Sequence, residues 1–476
     1  MPPLSGRRSV TTGQHGIVLG GGFAGMLTAH VLAEHLGAVT VVERDDPPAG
    51  PGPRKGVPQA RHSHLLMGAG ARAVEELLPG TMTAWSEAGA HVLGAPGDVA
   101  FLTKFGWLPR ARHREFVVSC GRDLLDWVVR RRVLRNGRIR VLPDTEAVGL
   151  LGDTEQVTGA RVRARGTGRL TDLKGDFVVA ATGRSSHVGA WLEDLGLPPV
   201  VRETVDAGTA YVTRLYRPDP ETHRNTPAIV MIANVTGEAT GGVLLPLEDG
   251  CWSATVIGMR GTEPSTGDAD FLDFAARLGH PALADLVAGA VPLGPSRGFH
   301  GLANRRLRLD RLPRHPERFV ALGDAVCTLN PSHAHGMTVA AFGVAALREL
   351  LRRHGTAPGL ARRVQRSVTQ TAGTAWQLAA GDDLRHPAVV GPRPSVAARL
   401  RNAYADRVMR AAVADPAVAR SLVDVMALAR PTTSLARPRI LAAASLGTGR
   451  RAVVGPPADP LARPRGHAVA DPGTGR

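Results

Sequence analysis

The chain is 476 residues long, more than one ordinary hydrophobic core spans, so two closely connected domains are expected. The formal charge of +16 raises nucleic acid as a partner, but all the basic residues except Lys55, Lys104 and Lys174 are Arg, and they are spread without an aromatic-interleaved patch. That pattern argues for a compositional bias and against a nucleic-acid-binding class, while three scattered cysteines without CxxC spacing (Cys120, Cys251, Cys327) argue against a disulfide framework, a zinc site or a redox dithiol.

No apolar run approaches the roughly 18 residues of a spanning helix, and no signal peptide is read before the first strand, so a soluble cytoplasmic protein without stable membrane insertion is expected. Residues 1–15 are polar and read as a flexible arm. Gly16 to Asp45 then reads strand, turn, helix, strand, acid: apolar Ile17 to Leu19, a glycine turn, Ala24, Leu27, Val31 and Leu32 at helical spacing, apolar Val39 to Val42, and Glu43. Gly20 suits a tight turn, Gly22 lets a pyrophosphate approach the main chain, and Gly25 lets the helix lie close to the strand. The free amides of the helix start would face the phosphates. Glu43 stands about 20 residues on, where a carboxylate accepts from an adenosine ribose.

The Pro/Gly-rich loop that follows carries Arg54, Lys55, Gln59, Arg61, His62 and His64, and reads as a binding loop or an insertion. His62 and His64 alternate, but other ligands are missing nearby in sequence, and no metal site is expected. A helix is predicted from Met67 to Leu78, short mixed strands from Trp85 to Arg112, and an amphipathic helix from Gly121 with Leu124, Leu125, Val128 and Val133 on one face. Arg122 falls in its first turn, where the macrodipole disfavours a cation unless an anionic ligand offsets it.

Arg140 to Leu150 reads as one strand, Val157 to Leu170 as a hairpin, and Phe177 to Ala181 as a strand ending in the glycine turn Thr182-Gly183-Arg184. From Thr209 to Met259 period-2 runs predict an antiparallel sheet with one buried face, the expected substrate domain. Asp324 follows an apolar strand at the carboxyl edge, where open α/β sheets bind ligands. Residues from Ala361 to Ala444 are helical in pattern and broken at prolines, and the last 30 or so residues read as a disordered tail.

Six ordered stretches together resemble one superfamily, the FAD-dependent monooxygenases of the p-hydroxybenzoate hydroxylase type. They are GGGFAG with VVERD, RKGVPQARHSHLL, GRDLLDWVVRRRV, VVAATGRSSHVGAWLEDLGLP, the long segment from Asn304 through LGDAVCTLNPSHAHGMTVAA, and WQLAAGDDLRHP. The likeness is strongest to an actinobacterial branch acting on polyketide-like or isoprenoid metabolites. It implies an α/β fold in which a Rossmann-like, glutathione-reductase-type FAD-binding domain (16–190 and 300–355) is interleaved with an antiparallel-sheet substrate domain (191–299, with part of 80–115 beside it). A helical C-terminal region (356–445) and a tail (446–476) follow.

Carried over by position, the resemblance puts Gly20, Gly22, Phe23, Ala24 and Gly25 at the pyrophosphate and Glu43 with Arg44 at the adenosine ribose. Arg54 and Gln59 would lie beside the isoalloxazine, Arg122 on the phosphates, and Val148 among the remaining cofactor contacts. Asp324 would bind the ribityl or pyrophosphate portion, and Pro331, His335, Gly336 and Met337 would bring a helix start to the flavin's pyrimidine side. No catalytic residue is named, although His333 and His335 could exchange protons at neutral pH.

Two departures stand out. The usual NPxYGQGM loop reads Asn330-Pro331-Ser332-His333-Ala334-His335-Gly336-Met337, and the Asp that normally precedes A-[ST]-G-R is Ala180. Loss of that carboxylate argues against reduction by NAD(P)H while leaving FAD binding intact. The superfamily chemistry implied is oxygenation through a flavin hydroperoxide. The alternative is an FAD-binding but non-redox [4+2] cyclase of the decalin-forming, spirotetramate-pathway kind, which works by holding reactive ends together. Scarce aromatics suggest a bulky, apolar small-molecule substrate, and the chain is expected to be a monomer or homodimer.

Overall fold

A computed structural model describes residues 11–446. At its centre is a five-stranded parallel sheet in the order Phe319–Ala321, Phe177–Ala180, Thr11–Leu19, Leu36–Val42, Ile139–Leu142. Ile17, Val18 and Leu19 are wholly buried on successive positions, as befits a strand covered on both faces. Helices Phe23–Ala33 and Gly336–His354 contribute to that core through Leu27, Leu32, Ala341 and Val344. The chain leaves the first strand toward Leu36–Val42 and only much later adds Phe177–Ala180 on its other side. The resulting switch point opens a crevice at the carboxyl edge.

Two local expectations change. The polar arm does not extend to residue 15: the first strand begins at Thr11, which pairs with Leu36 across an irregularity. His15 explains the extension, because its amide donates to Asp176 (2.8 Å) and its Nε2 meets Thr40 Oγ1 (2.8 Å). Arg140 to Leu150 is two strands, because the chain bends at Pro143 and at Asp144, whose φ is 48°. Ile139–Leu142 stays in the parallel sheet, whereas Thr145–Gly152 joins Val157–Ala164 and Leu170–Lys174 in an antiparallel sheet. Residues 1–10 of the arm and residues 447–476 of the tail lie outside the described residues.

The second large sheet runs in the order Val291–Pro292, Ala210–Arg217, Trp252–Gly258, Thr240–Pro246, Ala228–Met231, Val99–Thr103, Gly106–Trp107. It is antiparallel except where Ala228–Met231 lies parallel to Val99–Thr103. Its alternation separates two faces. Val212, Ala254 and Val256 pack with Phe271 and Leu283 in a core of their own, while Tyr211, Thr213, Ser253 and Thr255 face the 62–64 loop.

The C-terminal helices are Leu360–Asp383, Val396–Ala414, Pro416–Met426 and Pro438–Leu446. Their breaks follow local chemistry: Ser395 caps one helix at Ala398 N, and Asp415 caps the next at Ala417 N with Pro416 in the first turn. Gln365 fixes the first of them to the parallel sheet, because its side-chain amide both accepts from Ala321 N and donates to Ala321 O. Among the described residues no helix is long and apolar enough to cross a membrane.

Candidate functional site: a cofactor and substrate cleft

A cleft of about 690 Å³ opens at the carboxyl edge of the parallel sheet and continues to the face of the antiparallel one. Of the residues singled out in the sequence, Gly20, Gly22, Phe23, Ala24, Glu43, Arg44, Arg54, Gln59, Arg122, Asp324, Pro331, Gly336 and Met337 all line it. Gly25, Val148 and His335 do not.

The glycine turn has three separate requirements. Gly20 takes φ +104°, and a Cβ there would meet Ala181 O at 2.4 Å. A Cβ on Gly25 would sit 1.8 Å from Gly20 O, so this glycine acts through helix–strand closeness and offers no surface to a ligand. At Gly22 the same construction meets nothing within 4 Å. Helix Phe23–Ala33 starts there with no side-chain cap and no acid in its first turn. Free amides facing an open space are what a phosphate-bearing cofactor needs.

Glu43 is buried, and its carboxylate is already engaged: Oε2 accepts from Gly21 N at 2.7 Å and Oε1 from Asp45 N at 2.9 Å. It therefore shapes the turn as well as facing the cleft. Beside it lies a buried ionic cluster. Arg54 reaches Asp126 at 2.9 Å, Glu43 at 3.6 Å and Gly21 O at 3.3 Å, and Arg122 Nε donates to Asp126 at 2.8 Å. Burial works against ionisation of Asp126, but Arg122 and Arg54 together outweigh it and hold the carboxyl below its ordinary range. Asp324 goes the other way, because burial raises its pKa against the opposing charges of Arg122 and Arg184. The 54–59 loop is fixed to the sheet by Arg44, which donates to Gly56 O, and by Gly56 N, which donates to Asp45.

At the far end the Asn330–Gly336 loop rests on a buried polar network. Asn330 Nδ2 donates to Asp383 at 3.0 Å and to Thr209, Asn304 Nδ2 donates to Asp383 at 2.6 Å, and Asn330 N donates to Asn304 Oδ1. His333 Nε2 lies 4.0 Å from the same carboxylate. Burial alone would lower its pKa, but Asp383 raises it above the ordinary imidazole range. His335 is turned out of the cleft and donates from Nε2 to Met426 O at 2.8 Å. Burial, then the charge of His333, pushes it down to about 4. The two histidines are therefore not equivalent: the Asp383 carboxylate favours the charged form of His333, whereas burial disfavours it in His335. Helix Gly336–His354 begins without a side-chain cap, so a second set of free amides meets the cleft.

Among the described residues no group of three or more His, Cys, Asp or Glu side chains is placed to hold a metal ion, and His62 and His64 have other partners. His62 is buried against Tyr211 and hydrogen-bonded to Thr213, and burial, then Arg297, lowers it to about 4. His64 lines the cleft, and burial, then Arg122, lowers it to about 4, so both are neutral imidazoles.

Sequence reasoning missed Arg184, Tyr211, Phe299 and Arg305, which line the cleft. Arg184 had a signal, since it directly follows the Gly183 turn at a strand end. Tyr211 and Phe299, 5.8 Å apart and nearly parallel, come together only through strand pairing. Ala180 is wholly buried in the sheet and does not line the cleft, although Ala181 and Thr182 do. A carboxylate at that position would lie within the packed core of this protein, so its absence says little about the cleft.

Residues 15–377 match the model of a protein family described as the FAD binding domain. Protein Rv3254 of Mycobacterium tuberculosis (strain ATCC 25618 / H37Rv) is 30% identical over 420 residues, covering 85% of this chain and 87% of that one. Among solved structures, a flavoprotein/dehydrogenase from Cytophaga hutchinsonii aligns with a TM-score of 0.65 at 15% identity, over 90% of this chain and 96% of that one. The Diels-Alderase PyrE3, from the biosynthetic pathway of pyrroindomycins, aligns with a TM-score of 0.58 at 16% identity, over 87% of this chain and 80% of that one. At these identities the structural likeness speaks to the fold alone. The residues of the cleft fit the cofactor of the matched family, and the chain belongs to the FAD-binding-domain family of p-hydroxybenzoate-hydroxylase-type flavoenzymes, with FAD as its cofactor.

Proposed function

We propose that this enzyme is an FAD-dependent monooxygenase of natural-product biosynthesis, oxygenating a bulky, apolar polyketide-like or isoprenoid molecule in the cytoplasm as a monomer or homodimer. One observation carries the reading: a single cleft runs from the glycine turn at Gly20 and Gly22 to Tyr211 and Phe299 on the antiparallel sheet, so cofactor and substrate would share one enclosed space. When bound, FAD supplies the redox chemistry, namely electrons taken from a nicotinamide and oxygen activated for transfer.

The chain's own residues bind and orient. The backbone at Gly20 and Gly22, flanked by Phe23 and Ala24, takes the pyrophosphate with help from Arg122. Glu43 and Arg44 hold the ribose end, and Asp324 the ribityl portion. Arg54 and Gln59 border the ring, and Pro331, Gly336 and Met337 present a helix start that favours negative charge there. The Tyr211 hydroxyl makes no hydrogen bond to the described residues and, beside Phe299, is placed to orient a substrate oxygen while the rings exclude water. In domain terms, residues 16–190 and 300–355 form the cofactor unit, 191–299 the substrate unit and 356–445 the helical region.

The test is spectroscopic. The purified protein is mixed anaerobically with NADPH or NADH, with and without candidate substrates. Bleaching of the flavin band supports the monooxygenase. A bound flavin that stays oxidised while product forms returns the non-redox [4+2] cyclase instead, the alternative that the altered Ser332 to His335 loop keeps in play.

A further inference from the structure

We infer that the exposed start of helix Val396–Ala414 is a reversible docking surface for an anionic lipid bilayer. The inference is independent of the reaction proposed above. The stretch from Leu384 to Ala405 contains no Asp or Glu and carries Arg385, Arg393, Arg399 and Arg401. Arg385 is engaged by Asp382 and Asp406. Arg393, Arg399 and Arg401 are exposed and form no ion pair among the described residues.

Between these cations stand two of the most exposed large apolar side chains of the described protein, Leu400 at 67% and Val396 at 63%. Their spacing of four puts them on one side of the helix, and the stripe continues through exposed Ala403 to exposed Arg407. Val390, 59% exposed, precedes them in the approach to the helix. The neighbouring helix Pro438–Leu446 adds exposed Leu441 and exposed Arg439, the latter 3.6 Å from Asp415, and itself contains no acid.

A merely solvated helix face mixes both signs of charge and keeps its leucines turned in. This one does neither. Unpaired guanidinium groups match lipid phosphates, and aliphatic side chains between them reach the acyl boundary, which is the composition of a helix lying at a membrane surface. Because the described helices are too short or too polar to cross, attachment would be peripheral.

The experiment is vesicle co-sedimentation of the full-length, flavin-loaded protein. Mixed phosphatidylglycerol–phosphatidylcholine vesicles should carry the protein down at low salt and release it at high salt, whereas pure phosphatidylcholine should not bind it. The double variant Arg399→Gln/Arg401→Gln should lose roughly twentyfold in apparent affinity. Leu400→Gln should lose about fivefold to tenfold. Both variants should keep the flavin content and melting temperature of the parent, since none of the three positions lines the cleft. Absence of sedimentation with the anionic vesicles, equal binding to neutral ones, or unchanged binding by both variants would overturn the inference. So would a self-association that Leu400→Gln abolishes without any vesicle binding, which would assign the face to a second copy of the chain.

Discussion

Two buried polar clusters flank the cleft, and they are built from different chemistry. Under the glycine turn, Arg54 and Arg122 share Asp126, while nearby Glu43 has both oxygens taken by backbone amides. Under the Asn330–Gly336 loop, neutral amides from Asn304 and Asn330 surround a single carboxylate, Asp383. The first arrangement leaves guanidinium donors available beside a helix start, as suits a cluster that must meet negative charge. The second spends its donors internally, as suits a cluster that must hold a loop in one shape.

The contrast can be broken most visibly at Gly25. Gly25→Ala would drive a Cβ to 1.8 Å from the Gly20 carbonyl oxygen. A loss of about 4 kcal/mol or more is expected in urea unfolding, or no folded protein at all. An unchanged midpoint would mean that the turn beside the ionic cluster is not rigid.

Asp126→Ala comes next, because it strands two buried cations, at a cost of about 3–5 kcal/mol. The sign with pH follows from its lowered pKa: the stability it provides is present above the unfolded value of 3.8 and is lost as pH falls through the folded value. The gap between wild type and variant in urea midpoints should therefore close on acidification. A gap that widened would contradict the ionic account.

Asp383→Asn tests the amide cluster and should cost less, about 1–3 kcal/mol. The pKa of His333 is raised, so its contribution is complete below 6.5 and is lost as pH rises through the folded value. The penalty should accordingly be larger in mildly acidic than in alkaline buffer. Equal penalties would mean that His333 takes no part.

Gly22→Ala is the mildest for the fold, since its Cβ would meet nothing within 4 Å. Melting should shift by an amount equivalent to less than about 0.5 kcal/mol. FAD affinity, read by fluorescence titration, should nonetheless fall about tenfold, because the methyl group occupies the pyrophosphate approach. Retention of full affinity would remove Gly22 from the phosphate site.

The division between what could be read from the chain and what could not follows the range of the interactions. The turn, helix and acid from Gly16 to Glu43 depend on neighbours in sequence, and Asp324 on a strand end, so their places were legible. Val148 was not, because the break at Asp144 sets which residues of Thr145–Gly152 turn inward; Thr145, Glu146 and Ala147 line the cleft. The side chain of His335 is directed by a carbonyl 91 residues away. Tyr211 and Phe299 meet through a register between two strands that no local pattern encodes. Ala180 shows a subtler limit: a missing residue type is visible in sequence, but whether its side chain would reach the cleft is decided by packing.

The bond from His335 to Met426 also has a consequence for the order in which the protein is made. The glycine turn leaves the ribosome early with one sheet neighbour, Leu36–Val42, close behind it, yet the strand on its other side, Phe177–Ala180, comes later, and the loop at the opposite end finds its anchor only when residue 426 has emerged. The cleft as a whole is thus completed only when nearly the whole polypeptide is present. Until Phe177–Ala180 arrives, one edge of the strand that carries Ile17, Val18 and Leu19, wholly buried in the finished fold, lacks its partner and is open to aggregation.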